Sequence, residues 1–157
     1  MSKYASNTTV SMDRTIEQIR LTIERYGYTI SSWVPGWDNE TKTEVLMFKI
    51  EGRLLCYRFP MLEVEDFLRT PTGRKRARSA AQKAYDQAKR QRWRAVLLSV
   101  KSRLEEIESG ITTFEQAFLG QTMLPNGQTV AQWMEPQLAE VYLNGRMPPL
   151  LPAHIVD

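Results

Sequence analysis

The hydrophobic positions near the N-terminus predict an amphipathic helix. Four apolar residues recur at the three- and four-residue spacing that places side chains on one helix face: Ile16, Ile19, Ile23 and Tyr26. The helix is expected to begin near Asp13, and Gly27 is the residue type that most often ends a helix. Residues 1–11 are polar, so we expect that segment to be flexible.

The stretches that follow are rich in aromatic and β-branched residues, which is typical of strands. Tyr28–Val34 is predicted as the first strand and Pro35–Asn39 as a loop. Thr43–Ile50 and Arg53–Phe59 are predicted as a hairpin that turns at Glu51-Gly52. Six alternating side chains of the hairpin are expected to form one buried face under the first helix: Leu46, Phe48, Ile50, Leu55, Tyr57 and Phe59.

A long helix is predicted from Ser79 to Ser109-Gly110, with Ser79 and Gln82 as a capping box. Its second half has an apolar stripe, made of Trp93, Val96, Leu97, Val100, Leu104 and Ile107. Its first half has only a narrow seam of methyl groups, from Ala81, Ala84, Ala88 and Ala95. Because unpaired buried charges are costly, the basic side chains around this seam are expected to face solvent or phosphate.

Turn and capping residues predict shorter helices in the C-terminal third. Thr112 or Thr113 suits the N-cap of a short helix that runs through Phe118. An Asn-Gly reversal within Leu124–Val130 precedes a helix predicted from Val130 to Leu143. The apolar contacts of that helix are expected from Trp133, Leu138, Val141 and Tyr142.

Together these elements predict an α+β fold, with an N-terminal helix, a small antiparallel three-stranded sheet, a long basic helix and C-terminal helices. The 157 residues suffice for a single domain with a sizeable core. We expect helix plus sheet at 12–60, a helical portion at 71–143, and an extended Pro-rich tail at 144–157. The tail is expected to lie along its own domain, and docking on a partner is the alternative.

Charge is distributed unevenly, which changes the interpretation of the long helix. The segment from Arg69 to Arg94 contains ten Lys or Arg residues and one acidic residue, Asp86, for a formal charge of +9. The other residues carry 11 basic and 17 acidic groups, a formal charge of −6. The overall charge of +3 therefore hides a dipolar chain whose basic segment is suited to polyanions.

The leading interpretation is nucleic-acid binding by phosphate contacts, with DNA favoured over RNA. Seven residues are the candidate contacts: Arg74, Lys75, Arg76, Arg78, Lys89, Arg90 and Arg92. Trp33 and Trp37 are candidates for base stacking, although such residues more often cover a sheet edge. The sequence has no helix-turn-helix, zinc-finger or RNA-recognition signature. An acidic surface on a partner protein and a merely solvated basic face are the alternatives.

The sequence offers little for catalysis, so we expect a non-enzymatic protein with no catalytic residues, metal site or cofactor. His154 is the sole histidine, and Cys56 is the sole cysteine and lies in a predicted strand. Glu40-Thr41-Lys42, with Asp38 nearby, has the form seen in some metal-dependent nucleases but lies in a polar loop. Apolar runs are far shorter than the roughly 20 residues that span a bilayer. We therefore expect a cytoplasmic protein that binds no membrane.

Four stretches from Arg69 onward carry a family resemblance: TPTGRKR, RQRWRAVLLSVKSRLEEIESGITTFEQAFL, LPNGQTVAQWMEPQL and NGRMPPLLP. As a set they resemble an uncharacterised family of small proteins encoded by phages, prophages and other bacterial mobile elements. That family has no assigned activity, so the resemblance implies no catalytic residues. It implies a protein that handles phage nucleic acid, redirects a host enzyme or blocks host defence. The alternative function is therefore a protein-binding inhibitor, such as an anti-CRISPR, that acts on a host nuclease or its nucleic-acid complex.

Overall fold

The computed structural model describes residues 3–147, which form a helix, a three-stranded sheet and a second helical part in that order. The helices are α1 (Met12–Arg25), α2 (Arg78–Glu108), α3 (Phe114–Ala117) and α4 (Val130–Asn144), and the strands are β1 (Ser32–Asp38), β2 (Thr43–Ile50) and β3 (Arg53–Pro60). Short 3-10 helices cover Val64–Phe67 and Leu119–Gln121. The predicted α+β fold is confirmed. The predictions for the tail beyond Met147 and for His154 lie outside the described residues.

Helix α1 forms where the hydrophobic spacing predicts it, because caps at both ends enclose an apolar face. The Ser11 hydroxyl is the N-cap and accepts a hydrogen bond from the backbone N–H of Arg14 at 3.3 Å. Ile19 and Ile23 are fully buried. The chain leaves the helix at Gly27, whose φ of 90° is a conformation that favours glycine.

The segment that precedes α1 lies against the middle of α2. The side-chain amides of Gln87 and Gln91 donate hydrogen bonds to the backbone carbonyls of Ser6 and Tyr4, at 2.8 Å and 2.9 Å. The N-terminal residues, for which the polar composition predicts flexibility, are therefore anchored to α2 at two points.

The sheet is antiparallel with the order β1-β2-β3, and the predicted hairpin of β2 and β3 is confirmed. The prediction for β1 is wrong in its position, because the strand covers Ser32–Asp38 rather than Tyr28–Val34. The predicted loop at Pro35 is part of this strand, and Pro35 lies opposite Leu46 of β2. Proline is tolerated there because β1 is an edge strand with one unpaired side.

The inner face of the hairpin is the core of the protein, as the alternation predicts. Leu46, Phe48 and Leu55 are fully buried, Ile50 and Tyr57 are nearly so, and Phe59 is partly buried. Helix α2 covers this face, and the rings of Phe59 and Trp93 meet edge to face at 5.3 Å. The Arg103 guanidinium of α2 donates to the Tyr57 hydroxyl at 3.1 Å and to Gln121 at 2.6 Å.

Helix α2 contains 31 residues and is about 46 Å long at 1.5 Å per residue. The predicted capping box of Ser79 and Gln82 is wrong, since the N-cap is Ala77, which has no side chain that can cap. Gln82 instead donates to Asp86 at 3.0 Å, one turn further along the helix. The helix starts earlier than Ser79 because the preceding loop is itself ordered by backbone hydrogen bonds, including the one from Arg76 N–H to Leu68 C=O at 2.8 Å.

The two halves of α2 differ in burial as the sequence predicts. The stripe in the second half is buried at Trp93, Val96, Leu97, Val100 and Leu104. In the first half Ala81 is fully buried and Ala84 and Ala88 are partly buried. The predicted extension of this seam to Ala95 is wrong, because Ala95 is exposed.

The C-terminal part is organised by two capping boxes. Thr113 pairs with Gln116 at the start of α3, and Thr129 pairs with Gln132 at the start of α4. The predicted Asn-Gly reversal before α4 is confirmed, with Gly127 at a φ of 81°. The predicted apolar contacts from two residues of α4 are wrong, since Leu138 and Tyr142 are exposed.

Candidate nucleic-acid interface

The basic segment begins with a compact loop between residues 69 and 75. Arg69 and Lys75 form an antiparallel bridge, and the Thr70 N–H donates to the Arg74 carbonyl at 2.8 Å. The loop turns at Gly73, which has a φ of 85° and donates its N–H to the Thr70 carbonyl at 2.8 Å. The loop therefore presents its side chains from an ordered backbone.

Arg69 is exposed, but its guanidinium donates to the Gly73 carbonyl at 3.0 Å. Four other basic side chains in and after this loop are exposed: Arg74, Lys75, Arg78 and Lys83. Arg78 contacts Glu65 at 3.5 Å, and both side chains are more than half exposed, so this pair contributes little to stability. Within residues 3–147 no hydrogen bond or ion pair engages the charged groups of Arg74, Lys75 and Lys83. We call these four residues the basic cluster.

Arg76, also predicted as a phosphate contact, turns back onto its own loop. Its guanidinium Nη1 lies 3.3 Å from the backbone carbonyls of Phe67 and Arg69 and donates to both. This side chain is partly buried, and its position ties the loop to the short 3-10 helix before it. Its contribution is to hold the shape of the loop.

The basic residues in the middle of α2 are partly buried, and their charged groups contact other parts of the protein. Lys89 Nζ lies 3.4 Å from a carboxylate oxygen of Glu44. Arg92 donates to the Pro60 carbonyl at 2.5 Å and lies over the Phe59 ring. Arg90 and Arg94 donate to the glutamine side chains at positions 87 and 18. The expectation that these charges face solvent is corrected, because Lys89, Arg92 and Arg94 have partners far away in the sequence. Arg90 has its partner within one turn of α2.

Acidic residues lie close to the basic cluster. Glu65 and Asp66 belong to the 3-10 helix, which contacts α2 through an edge-to-face pair of Phe67 and Tyr85 at 6.1 Å. Asp86 is the single acid within the basic segment and accepts from Gln82. The basic surface is therefore bounded on the side of this 3-10 helix by carboxylates.

Trp33 and Trp37 lie on β1, on the side of the sheet that faces the helices. Trp33 packs against Phe48 with ring centroids 5.5 Å apart, whereas Trp37 is 69% exposed. Both line a cavity of about 400 Å³ between the sheet, α1 and α2. Trp93 also lines this cavity and is almost completely buried.

The same cavity contains the ion pair of Glu44 and Lys89. Glu44 is 5% exposed, and its second oxygen, Oε2, is buried without a hydrogen-bond partner among the described residues. Trp93 Nε1 is also buried without a hydrogen-bond partner among the described residues. Partial burial lowers the pKa of Lys89, but attraction to Glu44 and Tyr85 outweighs it, so the pKa of Lys89 is raised overall.

Sequence reasoning missed Glu44 because an acidic residue at the end of a predicted strand resembles an ordinary surface position. The available signal is the alternation of β2: Glu44 has the same parity as Leu46, Phe48 and Ile50, and therefore points to the buried face. Trp37 lies opposite Glu44 in the β1–β2 register, which brings the two side chains together.

The residues that resemble a nuclease motif stabilise a turn through hydrogen bonds to Asp38. One oxygen of Asp38 accepts the backbone N–H groups of Glu40 and Thr41, at 2.9 Å and 3.3 Å. Hydrogen bonds from the Thr41 side chain and from these backbone groups hold the pKa of Asp38 below its ordinary value. In the described part of the chain no three His, Cys, Asp or Glu side chains are grouped to hold a metal ion.

The Cys56 thiol is buried in β3, and burial raises its pKa. None of the helices between residues 3 and 147 combines the length and the apolar character needed to cross a bilayer. No protein-family profile, curated protein or solved structure matches this chain.

Proposed function

We propose that this protein binds nucleic acid without enzymatic activity, mainly through phosphate contacts of the basic cluster. The observation that carries the proposal is the ordered loop at residues 69–75, which exposes Arg74 and Lys75 while their charged groups have no partner among residues 3–147. Arg78 and Lys83 continue the cluster along the first turns of α2. Because the loop is already ordered, little conformational entropy is lost when phosphates bind.

The proposed setting is the cytoplasm of a bacterial host, where the protein serves a phage or another mobile element. The resemblance of the stretches after Arg69 to small mobile-element proteins supports this setting. Of the seven residues predicted from sequence as phosphate contacts, Arg74, Lys75 and Arg78 carry the proposal. Arg76, Lys89, Arg90 and Arg92 contribute positive potential from partly buried positions.

The test is fluorescence anisotropy with labelled random 20-mers, single- and double-stranded, at two salt concentrations. Arg74→Ala/Lys75→Ala/Arg78→Ala is compared with a control that removes the same charge elsewhere, Arg25→Ala/Lys49→Ala/Lys101→Ala. The control residues are exposed and lie outside the basic segment. We expect the first variant to lose at least tenfold in affinity and the control to lose less than threefold. Absence of binding to every probe at low salt would refute the proposal.

A protein-binding inhibitor of a host defence system is the second candidate, and the surface of α4 favours it. Four large apolar side chains on the second half of α4 and just after it are exposed by 46% to 89%: Leu138, Tyr142, Leu143 and Met147. An apolar group of this kind is typical of protein interfaces. Capture of a host nuclease from nuclease-treated bacterial lysate, abolished by Tyr142→Ser/Leu143→Ser, would support this candidate. The basic charge argues against mimicry of DNA, which requires an acidic surface.

A further inference from the structure

The cavity that contains Glu44 and Lys89 has the composition of a ligand site. Its volume of about 400 Å³ is within the range of small-molecule pockets. Three indole side chains line the cavity: Trp37 is exposed, Trp33 is partly buried and Trp93 is buried. Such a wall offers flat apolar surface to a ring that enters from solvent.

Two residues that line the cavity carry buried polar atoms without hydrogen-bond partners among the described residues. Glu44 Oε2 is an acceptor without a donor among the described residues, and Trp93 Nε1 is a donor without an acceptor. Both atoms are buried, so a ligand in the cavity reaches them only when the side chains at its wall move aside; a ligand that then supplies both missing partners gains free energy. An ammonium or guanidinium group supplies donors only. A nucleobase carries a donor and an acceptor side by side on one edge.

The charged side chains around the cavity determine which part of a nucleotide can bind in it. Besides Glu44, the cavity is lined by Asp13 and Glu17 of α1, of which Glu17 is paired with Arg20 at 2.5 Å. Lys89 is already paired with Glu44. A phosphate in this cavity would meet excess negative charge, whereas an uncharged base would not. The phosphates are instead expected at the basic cluster.

The cavity and Arg78 of the basic cluster lie on one face of α2. Lys89 and Arg78 are separated by 11 residues, which is a rise of about 17 Å and a rotation within about 20° of three full turns. At about 3.4 Å per nucleotide in a stacked strand, that distance corresponds to roughly five nucleotides, and to fewer in an extended strand. One short single strand can therefore reach both places.

We propose that this cavity binds an unstacked base of single-stranded nucleic acid, stacked on Trp37 and hydrogen-bonded near Glu44, while neighbouring phosphates contact the basic cluster. This inference rests on the proposed nucleic-acid binding and adds its preferred form, a single strand with accessible bases. Stacking on aromatic side chains tolerates any sequence, so a strong preference among bases is not expected.

The test uses anisotropy with labelled dA12, dT12 and an abasic 12-mer that keeps every phosphate. We expect the abasic strand to bind wild-type protein about tenfold more weakly, or about 1.4 kcal/mol. Trp37→Ala should bring dA12 and dT12 down to the abasic level and leave abasic binding unchanged, and Trp37→Phe should retain most of the affinity. Tyr142→Ala is the matched control, because it also truncates an exposed aromatic side chain and lies on α4.

The outcomes separate the two proposals. Equal affinity for the abasic strand and dA12, with the same loss in Arg74→Ala/Lys75→Ala/Arg78→Ala, would overturn the base pocket and leave phosphate binding intact. Failure of all three strands to bind wild-type protein at low salt would overturn both. Trp37-dependent binding of a lysine-rich peptide, without any effect of Trp37→Ala on the oligonucleotides, would assign the cavity to a cationic side chain and overturn the inference.

Discussion

Replacement of Lys89 by methionine tests whether the Glu44–Lys89 pair holds the sheet to the first half of α2. Methionine keeps the length and the apolar stem of the side chain, so packing changes little. What disappears is the cation 3.4 Å from Glu44 Oε1. Glu44 then becomes a carboxylate that is 5% exposed, and neither of its oxygens has a cationic partner among the described residues.

The expected loss is about 2–3 kcal/mol of unfolding free energy at pH 7. Removal of one member of a buried ion pair costs about 3–5 kcal/mol, because an uncompensated charge remains inside. We place the value below that range because a quarter of the Lys89 side chain is exposed, which leaves water some access. Glu44→Gln/Lys89→Met removes both charges and should recover most of the loss.

Urea unfolding followed by tryptophan fluorescence measures these free energies, and Lys83→Met is the matched control. Lys83 lies on the same helix but is exposed, so its replacement should change stability by less than about 0.5 kcal/mol. If Lys89→Met proves no more destabilising than Lys83→Met, or if the double variant is as unstable as the single one, the ion pair does not stabilise the fold as argued.

Alkaline titration examines the same pair in the wild-type protein. Because the folded-state pKa of Lys89 is raised above its ordinary value of 10.5, its contribution to stability is fully present below that value. The contribution is lost as the pH rises through the folded-state pKa. Stability of the wild-type protein should therefore fall above about pH 10.5 by more than stability of Lys89→Met does.

Three further predictions concern single residues. Leu104→Ala should cost about 3 kcal/mol in urea unfolding, because this side chain is 1% exposed and leaves a cavity, and a cost below 1 kcal/mol would contradict its place in the core. Thr129→Ala should cost about 1 kcal/mol, since the hydroxyl caps α4, and Thr129→Ser should recover it. The thiol of Cys56 should react with a thiol reagent at pH 8 many times more slowly in native protein than in urea, because it is buried and its pKa is raised. Equal rates would contradict its burial.

The fold could be predicted from sequence wherever local spacing determines burial. The face of α1, the alternation of β2 and β3 and the stripe in the second half of α2 each repeat over several turns or residue pairs. The position of β1 could not be predicted, because Ser32–Asp38 becomes a strand through pairing with β2 despite Pro35 and Gly36. The exposed end of α4 was missed for a similar reason. Its apolar spacing resembles a core face, but Leu138, Tyr142 and Leu143 are exposed in the described part of the chain.

The candidate site could be predicted only in part. Composition identifies the basic segment, and Pro71-Thr72-Gly73 indicates a turn or the start of a helix within it. The partners of the basic residues in the middle of α2 are invisible in the sequence, because Glu44 and Pro60 lie about 30 to 45 residues before them. The same holds for the cavity, whose lining comes from α1, β1, β2 and α2. Only tertiary structure brings Trp37, Glu44 and Trp93 to one place.

Some basic residues of the segment contact other parts of the protein, and others are exposed to solvent. The number of exposed residues determines how many condensed cations a bound nucleic acid releases. Each phosphate that is neutralised releases condensed counterions, and the slope of log K against log salt is about −0.7 per contact for a single strand. If all ten basic residues of the segment met phosphates, that slope would be about −7. With the four residues of the basic cluster it is about −3. The affinity should therefore fall less steeply with salt concentration than the composition of the segment alone would predict.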